Sequence, residues 1–188
     1  MTYDEDKLNS SVTMPGNEAR RPNSGKREGE LILGRYKVLS ELGRGGMGVV
    51  YRCFDNIGHI EVAVKGLPPE VSHNKMEMED IQDNYKLVSG LRHQNITGIR
   101  QLEEDSQTGD YYMVMDLAEG DNLRRWVKKH AGPEFQEQKL SIIDEVASAL
   151  DYAHSQRIMH RDIKPGNVVY VGGCPVLSDP GLLIEESD

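Results

Sequence analysis

No run of about 18 consecutive apolar residues occurs in the 188-residue chain, so these residues encode no helical membrane span. No secretory signal is expected either: "MTYDEDKLNSS" is acidic and polar, with no apolar segment behind it. Positive charge is in short supply, with 22 Lys and Arg against 31 Asp and Glu and a net charge of −9, which argues against a nucleic-acid partner. Cysteine is scarce. Cys53 and Cys174 lie far apart without metal-ligand spacing, so the expectation is two reduced thiols in a cytoplasmic protein. Internal repeats are absent. What remains is 37% apolar and 28% charged residues, a soluble globular composition. The length suffices for one domain with a real core, or a small domain plus part of another.

Residues 1–34, rich in Asn, Ser, Gly, Pro and charge, read as a disordered leader. Apolar patterning then predicts three strands, "RYKVLSEL", "VVYRCFD" and "HIEVAVK", the first two flanking a glycine-rich turn and the third following the turn "DNIG". Residues 75–91 predict a helix with Met76, Ile81, Tyr85 and Val88 on one side. Two more strands are expected at "GIRQLEED" and "YYMVMDL". "DNLRRWVKKH" predicts a helix capped by Asp121 or Asn122. A longer amphipathic helix is expected over 134–155, with Leu140, Ile143, Val146, Ala147, Leu150 and Ala153 inward, followed by a polar loop and two short strands.

"LGRGGMGVVY" carries glycines at 43, 45 and 48 in a G-x-G-x-x-G spacing. The dinucleotide-binding version of that spacing opens a helix. Here β-branched and aromatic residues follow, which favour a strand, so the turn joins two antiparallel strands as a flap. Such a flap can lay backbone N–H groups over phosphates, since glycine lets the chain approach closely; an ordinary glycine-rich hairpin is the plainer alternative. In "EVAVK", alternation puts Ala63 and Lys65 on one face and Val62 and Val64 on the other. Ala63 is small enough to roof a flat base, and Lys65 long enough to reach its phosphates. A lysine on that face needs an anion to satisfy it; otherwise Lys65 ends an edge strand in solvent.

"IMHRDIKPGNVV", residues 158–169, sets His160, Arg161, Asp162, Lys164 and Asn167 in an apolar frame. Phosphoryl transfer needs positioning, charge neutralisation and a group to receive the nucleophile's proton. Asp162 suits the last role, Lys164 the charge on the transferred group, and Asn167 offers a neutral oxygen to magnesium. "VLSDPG" returns a further carboxylate, Asp179, through a hairpin.

Taken together, "LGRGGMGVVYR", "VAVK", "HRDIKPGN" and "SDPG" resemble, in order, the motifs of a eukaryotic-type serine/threonine protein kinase of the bacterial branch. The resemblance implies an α+β, protein-kinase-like bilobal fold. Its N-lobe, residues 35–115, would be a small antiparallel five-stranded sheet plus one helix. Residues 116–188 would form the hinge and an incomplete, mostly helical C-lobe. The implied cofactors are ATP and Mg2+, and the implied partner is a protein substrate bearing a Ser or Thr hydroxyl. Leu42, Gly43, Arg44, Gly45, Gly46, Met47, Gly48, Val49 and Val50 would cover the nucleotide, with Leu42, Val50 and Ala63 sandwiching its base. Met115 would stand behind the adenine, the backbone of Asp116 and Ala118 would bond its edge, and Asp121 would lie near the ribose. Lys65, Asp162, Lys164 and Asn167 would be catalytic, and Asn167 and Asp179 would hold metal.

Three features depart from the family pattern. The helix position where the family has a glutamate facing the strand lysine falls on Asn84, with Asp83 adjacent and Asp80 and Glu77 one and two turns earlier. Pro180 replaces an apolar residue, usually Phe, removing an N–H and restricting Asp179. The residues also stop short of the activation segment and later helices, so the expectation is an N-terminal piece of a catalytic domain. An alternative to the enzyme is a pseudokinase-like module that binds nucleotide or a partner without efficient transfer.

Overall fold

The computed structural model describes residues 25–160, 162–178 and 184–185. Arg161, Asp179 and Pro180, and residues 1–24 of the expected leader, lie outside the described residues.

The first lobe is built on an antiparallel sheet of six strands: β1 (Leu31–Ile32), β2 (Tyr36–Gly45), β3 (Gly48–Asp55), β4 (Ile60–Gly66), β5 (Ile99–Glu104) and β6 (Tyr111–Asp116). Their order is β1-β2-β3-β4-β6-β5. The expected five strands are present, and β1 adds a sixth from a stretch that composition assigns to the leader. Residues 25–34 are tied to the sheet: Gly29 N donates to Val38 O, Val38 N donates to Glu30 O, and Ile32 is 1% exposed. Ile32 is buried beside Tyr36 and Val38, and Leu33 packs against the same cluster, so a segment that is polar on average still has an apolar anchor.

Alternation along the strands divides the sheet into two faces. Val38, Val49, Tyr51, Cys53, Val62, Val64 and Val114 share one core. Ala63, Met113, Met115 and Ile99 share the other with Val88 and Leu91, and Val50 packs against them. Registry makes this explicit, because residues directly opposite in an antiparallel pair share a face: Val50 faces Lys65, Lys65 faces Met113, and Ala63 faces Met115.

Helix α1 (Pro69–Ser72) leads into α2 (Lys75–Val88). Asn74 caps α2, its Oδ1 accepting from the N–H of Met76 and Glu77 while its Nδ2 donates to Glu77 Oε1, a reciprocal cap. The helix ends at Val88, three residues before the expected boundary, in a turn through Ser89 and Gly90. Arg92 Nη1 then donates to the carbonyls of Ser89 and Leu91. Met76 is 74% exposed; Met78 takes the inward place instead, with Tyr85 and Val88 on the same side.

The second lobe contains β7 (Asp121–Asn122), α3 (Leu123–Lys129), α4 (Gln136–Ser155), β8 (Ile158–Met159), β9 (Val168–Val171), β10 (Cys174–Leu177) and β11 (Ile184–Glu185). Asn122 is the cap of α3, its Oδ1 accepting from Arg125 N, while Asp121 pairs with Lys129. Strands β9 and β10 form a hairpin on Gly172 and Gly173, whose positive φ values of 57° and 97° suit a tight two-residue turn. β7 pairs with β9, and β11 with β8.

Helix α4 corrects one expectation. Ile142, Ala149 and Ala153 are buried, with Val146 and Leu150 packed against Val168 and Leu177. Leu140 and Ile143 are 54% and 61% exposed, and Ala147 is exposed too. The helix is apolar over a wider arc than it buries: Val146, Ala149 and Leu150 meet Val168 of β9 and Leu177 of β10, while Leu140 and Ile143 face outward. Among the described residues no helix is long and apolar enough to cross a membrane.

The two lobes meet along residues 93–98. Leu177 N donates to Asn95 O and Thr97 N to Leu177 O. The buried Asn95 donates through Nδ2 to Pro175 O and Glu145 Oε2.

Candidate active site

Between the lobes lies a cleft of about 520 Å³, within the range of small-molecule sites. Its roof is the turn joining β2 to β3. Gly45 pairs with Gly48 there, and Gly48 has φ +107° with Gly66 O only 2.0 Å from where a Cβ would stand. Only glycine fits that position. Nothing would meet a Cβ at Gly43, Gly45 or Gly46, so this stretch of backbone stands clear of neighbouring packing. Arg44 of the turn pairs with Glu41 at 2.7 Å.

Beneath the roof, Leu42, Val50, Ala63 and Met115 supply apolar walls. Lys65 lines the same cleft and is 3% exposed, since β4 buries it between β3 and β6. Asp116 and Ala118 line the cleft where β6 runs out toward the second lobe; the Asp116 carboxylate pairs with Arg100 at 2.6 Å.

The floor comes from the loop between β8 and β9. Asp162 N donates to His160 O, and Asn167 N to Lys164 O through a 3-10 turn at Pro165–Asn167. These bonds fold the loop so that three side chains converge. Lys164 Nζ donates to Asp162 Oδ2 at 2.5 Å and Asn167 Nδ2 donates to the same oxygen at 2.8 Å. Asn167 Nδ2 also donates to Asp162 O at 3.0 Å. The Lys164 ammonium and then the Asn167 amide hold the Asp162 carboxyl below its ordinary range. Because both Asn167 contacts are acceptors, its nitrogen must face them, and its amide oxygen is the atom left to bind a cation. That neutral oxygen fits the donor chemistry of magnesium. Ser178 N and Oγ both donate to Asn167 O, so β10 delivers the chain to this floor one residue before Asp179. Among the described residues no group of three or more His, Cys, Asp and Glu side chains gathers at one point.

Among the described residues, most of those expected at the site from sequence lie together here; Val49 and Asp121 do not. Val49 is 3% exposed in the core on the far face of the sheet, and strand alternation from Val50 already requires this. Asp121 is turned to Lys129, and Asn122 lines the cleft in its place, opposite Val169 on β9. Thr97, Gly120, Arg125, Gly166, Val169 and Ser178 also line the cleft without having been anticipated. Gly166 and Ser178 adjoin motif residues and were open to inference. Thr97 and Arg125 carry no local signal, since long-range pairing brings them in.

A family model for the protein kinase domain matches residues 36–183. A probable serine/threonine-protein kinase PknB of Lactococcus lactis is 36% identical over 157 residues, which is 82% of this chain and 24% of that protein. The serine/threonine-protein kinase PrkC of Bacillus subtilis is 36% identical over 141 residues, 75% of this chain and 21% of that protein. The chain thus spans about a quarter or less of the length of these curated relatives. Among solved structures, the PknI kinase domain of Mycobacterium tuberculosis superposes with a TM-score of 0.69 at 28% identity, covering 84% of this chain and 64% of that one.

Proposed function

Since the chain belongs to the protein kinase family, with bacterial serine/threonine kinases among its relatives, we propose that its cleft binds ATP with Mg2+ and transfers the γ-phosphoryl group to a Ser or Thr hydroxyl of a protein. The observation that carries this reading is the Asp162–Lys164–Asn167 cluster on the cleft floor, with Lys65 and the glycine turn in the same cleft.

In this reading the base lies between Ala63, Val50 and Leu42, and the phosphates run under the glycine turn toward Lys65. Asp162 accepts a hydrogen bond from the substrate hydroxyl. As the hydroxyl oxygen bonds to the γ-phosphorus, the bond to the β–γ bridging oxygen breaks, ADP departs, and the hydroxyl proton passes to Asp162. A carboxyl held below its usual range is a weak base, so its larger contribution is orientation of the hydroxyl. Lys164 lies beside that oxygen and offsets charge on the moving group. The Asn167 oxygen and, on the sequence reading, the Asp179 carboxylate would hold a magnesium ion, which would neutralise charge on the phosphates. The setting proposed is the cytoplasm.

The test is incubation with γ-labelled ATP, Mg2+ and a generic basic protein. Label on Ser or Thr is expected from the wild type, and at least a hundredfold less from Asp162→Asn with nucleotide binding retained. Equal turnover by the variant removes Asp162 from the role.

One observation favours the second reading, nucleotide binding without efficient transfer. The carboxylates of α2 are turned outward: Asp83 pairs with Lys86, Glu77 with its cap Asn74, and Asp80 is exposed. Asn84, half-buried on the inner side, is neutral. On this reading Asn84→Glu raises transfer severalfold in the assay above; an unchanged or lower rate rejects it.

A further inference from the structure

We propose that Thr97 is a specificity-determining residue of the cleft, its hydroxyl donating a hydrogen bond to N7 of a purine base. This rests on the nucleotide reading above and goes beyond it in naming which edge of the base is read.

Thr97 lines the cleft and is 6% exposed. Its Oγ1 is buried with no hydrogen-bond partner among the described residues. The residue is fixed from behind, its N–H donating to Leu177 O at 2.9 Å. It is also held next to the apolar wall, since Asp116 N donates to the O of the adjoining Gly98 and Ile99 pairs with Met115. A base seated against Met115 and Asp116 therefore meets Thr97 on its inner side.

A buried hydroxyl without a partner has given up its bonds to water for nothing in return. Valine has nearly the same shape and carries no such cost. Threonine at this point thus suits a cleft that receives an acceptor with its ligand. In this assignment a rotation of about 120° about χ1, from one staggered position to another, turns Oγ1 to the base without backbone movement. The other hydroxyl of the cleft wall among the described residues, that of Ser178, is already donated to Asn167 O at 3.1 Å. Once the outer edge of the base is taken up by backbone at residues 116–118, N7 is the ring acceptor turned inward.

Calorimetry with Mg-ATP and Mg-7-deaza-ATP, whose N7 is replaced by a C–H, tests the assignment. The wild type is expected to bind 7-deaza-ATP about fivefold more weakly, the size of one neutral hydrogen bond. Thr97→Val should bind the two nucleotides alike, and Thr97→Ser should keep the preference. Without nucleotide, Thr97→Val should melt at or above the wild-type temperature, because it removes an unsatisfied group. A wild type indifferent to N7, a Thr97→Val variant that retains the preference, or one that melts lower overturns the role of Thr97 and leaves the nucleotide site standing. Failure of the wild type to bind either nucleotide overturns both.

Discussion

In the proposed reaction Asp162 acts as an anion, and its neighbours favour that form. Its folded-state pKa is lowered chiefly by Lys164, so the carboxylate persists as pH falls through the usual Asp value of about 3.9 and is lost only below it. Lys164→Ala removes the largest cause. The acid limb of the pH dependence of kcat/KM should therefore move toward higher pH, whatever the variant does to the maximum. A limb that stays in place would show that the Lys164 contact does not govern Asp162. At this scale the sequence was legible where one residue's place follows from its neighbour's. Ala63 and Lys65 share a face because strands alternate, and the structure puts both in the cleft wall. The same rule separates Val49 from Val50, although the glycine motif spans both. Thr97 was illegible, because nothing in "HQNITGIR" says that Leu177 will hold it against β6.

Among the elements, the strands were easier to place than the buried arc of a helix. "RYKVLSEL", "VVYRCFD" and "HIEVAVK" became β2, β3 and β4 because turns bound them and β-branched residues fill them. Periodicity gave α4 its extent, yet it could not say which part of a wide apolar arc would be covered. The β9–β10 hairpin decides this, meeting Val146, Ala149 and Leu150 and leaving Leu140 and Ile143 outside. The consequence is a contrast between adjacent positions of like chemistry. Ile142→Ala, at a site 5% exposed, should cost about 2–4 kcal/mol in denaturant unfolding. Ile143→Ala, at a site 61% exposed, should cost no more than about 0.5 kcal/mol. Equal costs would contradict burial of the stripe that holds Ile142, and a larger cost at Ile143 would mean that α4 buries the other one. Helix caps were half legible: the sequence left Asp121 and Asn122 as alternatives, and the ion pair of Asp121 with Lys129 goes with Asn122 as the cap.

Over the whole molecule, the described residues form two lobes that differ in kind. One is a six-stranded sheet with α2 on its inner face; the other packs α3 and α4 against short strands. Residues 93–98 bind them, with Asn95 and Thr97 bonded to β10 and Gly98 to Asp116. The cleft is the gap this junction holds open, and each lobe contributes one half of the proposed chemistry, Lys65 from above and Asp162 with Asn167 from below. That division is the central claim, and ATP binding tests it most directly. Calorimetric titration of the chain with Mg-ATP should show saturable binding to one site, weakened at least tenfold in Lys65→Met while the far-ultraviolet circular dichroism of the variant matches the wild type. Equal affinity in the two proteins, or no saturable binding by the wild type, would contradict it.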